Sequence, residues 1–107
     1  MRISNSQVED HLDGLEKLGP KLAAARADAE YFSDYIKTVY AAEYLRSDLP
    51  RVGDKEAEAY ASDAYVAALG EKRKATMLAE AYRHEKTWRE SVIEVWRTLG
   101  ANERGKI

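Results

Sequence analysis

Apolar side chains recur every three or four residues along most of this chain, and that spacing leaves little choice of fold. The first row runs Val8, Leu12, Leu15, Leu18, Leu22, Ala25, Ala29, Phe32, Ile36 and Val39. Residues three and four apart share one side of an α-helix, so the row marks a single helical seam. A second row, Tyr31, Tyr35, Ala42 and Leu45, widens the stripe toward its end. That width suits packing against more than one neighbour. Later in the chain Leu78, Ala81, Glu85, Trp88, Val92, Val95 and Leu99 repeat the spacing with one polar member. Upstream of them, Ala57, Ala61, Ala64, Tyr65, Ala68 and Leu69 form a thinner, alanine-rich face. Alanine is abundant and β-branched residues are few and scattered, which favours helix over sheet.

Punctuation divides these rows. Ser4 and Gln7 have the spacing of a capping box, with Ile3 and Val8 placed as its hydrophobic staple, so a first helical arm is expected over residues 4–46. Gly19-Pro20 interrupts it, and a proline inside a helix removes one hydrogen bond and costs ~3 kcal/mol. Either two helices meet there or one helix kinks. The seam keeps its phase through Leu15, Leu18 and Leu22, which argues for a kink or tight joint over a reversal. The stretch SDLPRVGD holds Pro50, Gly53 and two aspartates, and reads as a loop over residues 47–53. Asp54 is placed to cap a second arm over 54–99, with Gly70 a weak point within it. Gly100 is placed to end that arm in the left-handed conformation, leaving 100–107 as a frayed tail. At ~1.5 Å per residue the two arms are of matching length. The expectation is one all-α domain over residues 1–107, a long antiparallel helical hairpin. Its stripes are wider than a lone hairpin can bury, so two hairpins are expected to pair into a dimeric bundle. The competing arrangement is a compact monomeric three-helix bundle broken at Gly19-Pro20.

Composition narrows the function classes. The chain has no cysteine, so neither a disulfide nor a thiolate metal site is available to it, which fits a reducing cytoplasm. The opening MRISNSQVEDHL has no apolar run of the kind a secretory signal needs. No run approaches the roughly 20 apolar residues of a membrane-spanning helix. The net charge of −2 conceals an asymmetry. Residues 1–69 carry 8 Lys/Arg against 13 Asp/Glu, and residues 70–107 carry 9 against 6. The second half can meet phosphate, or complement the first half within a hairpin.

Catalytic signals are absent. The two histidines, His11 and His84, lack the Glu-x-x-His step that di-iron bundles use twice, and no phosphate-binding loop, dinucleotide fingerprint or nucleophile elbow occurs. No enzyme activity, metal or cofactor is expected. Glu43 and Glu85 are the polar members of otherwise apolar rows, and the reading adopted for Glu85 is that it faces water. The seven tyrosines read mainly as seam-edge residues with buried rings and wet hydroxyls. In TWRESVIEVWRTLG, Trp88 falls on the seam and Trp96 at its edge, so both rings are expected to pack. Arg89 and Arg97 then project outward with Arg83 and Lys86, and Arg104 follows in the tail, as a basic binding face for phosphate or for acidic residues of a protein. The interface seam expected is Phe32, Ile36 and Val39 on the first arm, and Leu78, Trp88, Val92, Val95 and Leu99 on the second.

Three stretches, KTVYAAEYL, EAEAYASDAYVAAL and IEVWRTLGANERGKI, carry a resemblance. Over residues 37–107 the chain resembles a family of small helical proteins of tailed phages and prophages, whose members end in a Trp-Arg-Thr segment followed by Asn, Glu and Arg. Here those positions are Trp96-Arg97-Thr98 and Asn102-Glu103-Arg104. Such proteins are encoded near recombination and single-strand-binding functions. The resemblance therefore implies a non-catalytic accessory role in phage DNA metabolism, in the cytoplasm of the infected bacterium, through contact with DNA or a DNA-handling protein. Its alternatives are an inhibitor of a host defence complex, of the anti-CRISPR kind, and a structural or scaffolding helix of the virion. A homodimer is the expected form in each case.

Overall fold

The computed structural model describes residues 2–105, all of whose regular structure is helical. Three helices follow in order: α1, Asn5–Arg46, α2, Val52–Ala61, and α3, Asp63–Gly105. The all-α class and the two long helices agree with the sequence reading. Among the described residues no helix is long and apolar enough to cross a membrane.

The start of α1 is the expected capping box. The Gln7 amide donates to Ser4 Oγ at 3.1 Å, and the Ser4 amide donates to Gln7 Oε1 at 2.7 Å. Two N–H groups that a helix start leaves orphaned are thus satisfied reciprocally. Beneath this cap Ile3 is half-buried and Val8 buried. Pro20 lies inside α1, which runs on as a single helix. The seam that keeps phase across it accounts for this: Leu18 and Leu22 are each at most 5% exposed, and burying two leucines contributes about 3–6 kcal/mol, enough to offset the proline.

The second arm departs from expectation at three points. It is two helices, because Ser62 breaks it. Ser62 has extended backbone (φ −65°, ψ 146°) and serves both neighbours. Its hydroxyl donates to the Ala59 carbonyl at 2.7 Å, closing α2, and accepts from the Tyr65 amide at 3.2 Å, opening α3. Asp63 then sits in the first turn of α3, where the N-terminal dipole favours a carboxylate. The start is also earlier than expected. Val52 opens α2, and Asp54 lies within its first turn instead of capping it. The end is later, since α3 passes Gly100 and runs to Gly105 with no glycine at positive φ. Lys106 and Ile107 of the expected tail lie outside the described residues.

Two compact units share the long helices. The first joins α1 as far as Ala23 to α3 from Glu80 onward. Here the helices run antiparallel: Ile3 lies by Leu99, and His11 by Trp88 and Arg89. Its buried apolar side chains are Val8, Leu18, Leu22 and Ile93. The second unit, Ala24–Ala79, holds the rest of α1, the loop, α2 and the start of α3. It is locked by Ser47, only 6% exposed. The Ser47 hydroxyl donates to Glu58 at 2.7 Å and accepts from the Leu49 amide, and its carbonyl accepts from Lys55 Nζ at 2.7 Å. Beside this lock Tyr40 meets Tyr60 at 4.8 Å and Tyr65 at 6.3 Å between ring centroids. Burial above all, then the Glu56 carboxylate and the neighbouring tyrosines, raises the Tyr40 phenol above its ordinary value of 10.0.

Candidate interaction surfaces of α3

The phase of α3 decides which side chains are available. Its half-buried and buried positions run Tyr65, Ala68, Lys72, Ala75, Ala79, Tyr82, Glu85, Arg89, Val92, Ile93, Trp96 and Gly100. Glu85 and Val92 belong to the row expected from apolar content, but Ala79, Tyr82, Arg89, Ile93, Trp96 and Gly100 each lie one residue beyond it. Leu78, Trp88, Val95 and Leu99 are exposed, at 48%, 53%, 38% and 36%, and Val92 is half-buried. The roles of the tryptophans are therefore reversed: Trp96 is the half-buried ring and Trp88 the exposed one. On α1 the expected residues hold their places, with Ile36 buried and Phe32 and Val39 half-buried. Leu12 is the exception at 51% exposed, and its place in the packed row falls to His11 and Gly14.

A polar corner in the first unit accounts for the phase. Arg89 points toward α1 instead of outward. Its Nη1 donates to His11 Nδ1 at 3.2 Å, and a guanidinium can only donate, so that ring nitrogen is the acceptor. Gly14 makes room, because a β-carbon there would collide with the guanidinium. The Trp88 ring covers the corner, edge-on to His11 at 4.8 Å, with the Arg89 guanidinium carbon 5.7 Å from the Trp88 ring centroid. The Glu85 carboxylate lies 3.9 Å from Arg89 Nε, too long for a hydrogen bond, so Nε is buried without a partner. Glu85 is half-buried, not turned fully to water as expected.

The other cations of the expected basic face remain outside, but two of them have partners. Arg83 donates twice to the Glu80 carboxylate, at 3.1 and 2.6 Å, and Arg97 lies 3.8 Å from Glu94. Lys86 and Arg104 are exposed and enter no salt bridge among the described residues. The exposed apolar row of α3 carries little charge. Between it and the charged face stand His84, Ser91 and Thr98, all exposed. In the first unit this row joins α1 in a groove of about 330 Å³ whose lining includes Arg2, Ile3, His11, Trp88, Val92 and Val95, with the Arg2 cation at the α1 side.

The second unit has an open groove that no sequence expectation covered. It lies along one side of α3, with a volume of about 600 Å³, between Val66, Leu69, Gly70, Arg73 and Met77. Gly70 forms its notch, since nothing approaches the position of a β-carbon there. Lys72 and Arg73 edge it and enter no salt bridge among the described residues, whereas Lys74 pairs with Glu71 at 3.5 Å. The steps from Val66 to Leu69, Arg73 and Met77 were a usable signal, masked by the alanine row beside them. Among the described residues no three His, Asp or Glu side chains stand together as metal ligands.

No family model, curated protein or solved structure matches the chain.

Proposed function

We propose that the protein is a non-catalytic accessory factor of phage DNA metabolism that acts as a homodimer, through contact with a DNA-handling protein. The phage setting rests on the resemblance of residues 37–107. The mode of contact rests on one observation: three of the five cations expected to form a basic face are held in internal contacts, while α3 leaves a row of large apolar side chains exposed. Binding to DNA strengthens with the number of cations that meet phosphate. Of the five residues expected to do so, Arg83 and Arg97 lie against carboxylates and Arg89 is turned into the helix pair. Protein interfaces, by contrast, are rich in aromatic residues and methionine at their centres and poor in charge.

The groove around Gly70 fits such a partner. Its exposed anchors, Val66, Leu69 and Met77, lie along one side of a helix, and unpaired cations edge it. A short amphipathic helix with acidic flanks matches both features. The test is a titration of labelled single- and double-stranded DNA at low and physiological salt, beside size-exclusion runs with a purified phage recombinase and single-strand-binding protein. The expected result is weak DNA binding that is indifferent to Arg83→Glu with Arg97→Glu, and a complex with one of the two proteins that Leu69→Glu abolishes. Tight DNA binding lost in the double variant would overturn the protein-contact reading.

A further inference from the structure

The outer row Trp88, Val92, Val95 and Leu99, exposed except for the half-buried Val92, continues a spacing that begins at Leu78 and Ala81 and runs through Glu85, with steps of three and four throughout. The packed row of α3 has the same spacing, displaced by one residue. A helix with two such rows has two sides built to receive helices, and within one chain the outer row meets α1 only along its edge, where Trp88 stands against His11. The outer occupant must therefore supply an apolar, uncharged strip of the same period.

We infer that the occupant is the same row of a second copy, the two α3 helices lying antiparallel about a two-fold axis level with Ile93 and Glu94. Two observations support a second copy. The first is a thin core. Among the described residues no large side chain is fully buried, and four of the nine buried apolar residues are alanines. The second is charge. Between Ala81 and Leu99 the row contains one carboxylate, Glu85, so the strip can face itself without like-charge repulsion if the two Glu85 side chains are kept apart.

Glu85 also selects the orientation. Parallel pairing would set Glu85 against Glu85 in the middle of the seam, which costs free energy in a desolvated site. Antiparallel pairing about the axis named above sets Trp88 against Leu99 of the second copy and Val92 against Val95. It leaves Glu85 opposite Asn102, an amide that can donate to it. Every apolar member of the strip in the first unit except Ala81 then meets an apolar member.

This seat rests on the proposed homodimer, and sedimentation equilibrium on the full chain separates the two claims. The expected result is a dimer whose dissociation constant rises roughly 100-fold or more in Trp88→Glu and in Val95→Arg. Leu69→Glu, in the other unit, should leave it unchanged. Far-ultraviolet circular dichroism confirms that each variant stays helical. The chain has no cysteine, so mild oxidation of a Val92→Cys and Val95→Cys mixture gives a second readout with near-native side chains. Heterodisulfide is expected to dominate there, and Glu85→Cys is expected not to cross-link with itself. A monomer at all concentrations would overturn both seat and homodimer. A dimer indifferent to Trp88→Glu and Val95→Arg would overturn the seat alone, and efficient Glu85→Cys self-linkage would overturn the antiparallel orientation.

Discussion

Arg89 is the residue on which the sequence reading of α3 turned, and Gly14 is the reason the fold tolerates it. A glycine within a helix costs roughly 1 kcal/mol relative to alanine. Gly14→Ala should recover that amount only where the guanidinium is gone. In an Arg89→Ala background it is expected to stabilise by about 1 kcal/mol, and in the native background to be neutral or destabilising. Chemical denaturation of the four proteins of that cycle measures the coupling. Tyr40 makes a second prediction at this scale. Its folded-state pKa is raised, so the folded chain holds the phenol proton longer than the unfolded chain. The stabilising contribution is complete below pH 10.0 and is lost as pH rises through the folded value. Tyr40→Phe should therefore flatten the fall of the urea midpoint above that pH. Neither feature was legible beforehand. Glycine at position 14 has no meaning until the residue opposite is known, and Arg89 reads as a surface cation because arginine is seldom buried.

At the scale of elements the sequence was more informative, and its failures have local causes. The capping box at Ser4 was visible because all its parts lie within four residues. The Ser62 break was equally local and was overlooked: Ser-Asp ahead of a helical row is an N-cap signal, but the alanines around it sustain helical periodicity through the break. Ser62→Ala removes the cap of α3 and should cost about 1 kcal/mol by thermal or urea denaturation. Ser47→Ala should cost somewhat more, roughly 1–3 kcal/mol, because it removes the partner of Glu58 and of the Leu49 amide at a buried position. Gly100 misled in the other direction. It has the position of a helix stop, yet α3 continues through it at negative φ, as glycine can do where the helix beyond has its own reasons to persist.

At the scale of the whole molecule, the all-α class and the two long helices were readable from periodicity alone, but the choice of inward face was not. The apolar count favours the outer row, and only the three-dimensional fit of Arg89 against Gly14 and His11 favours the inner one. A chain that needs its twin should melt at a temperature that climbs with protein concentration, by mass action. Differential scanning calorimetry over a hundredfold range of concentration is expected to show that climb for the native chain, and a flat response for Trp88→Glu.

The two rows of α3, one residue out of step, also have a folding consequence. Inserting one residue rotates everything beyond it by about 100° about the helix axis. In α3 that rotation brings Trp88, Val92, Val95 and Leu99 against α1, a face no less hydrophobic than the native one. The native arrangement thus competes with a rolled decoy that satisfies the same binary pattern, a case of frustration that burial alone does not resolve. Single-residue insertions between Glu80 and Trp88 are the mutations most apt to convert one into the other. Seven-residue insertions, which preserve phase, should be better tolerated although they add more to the chain.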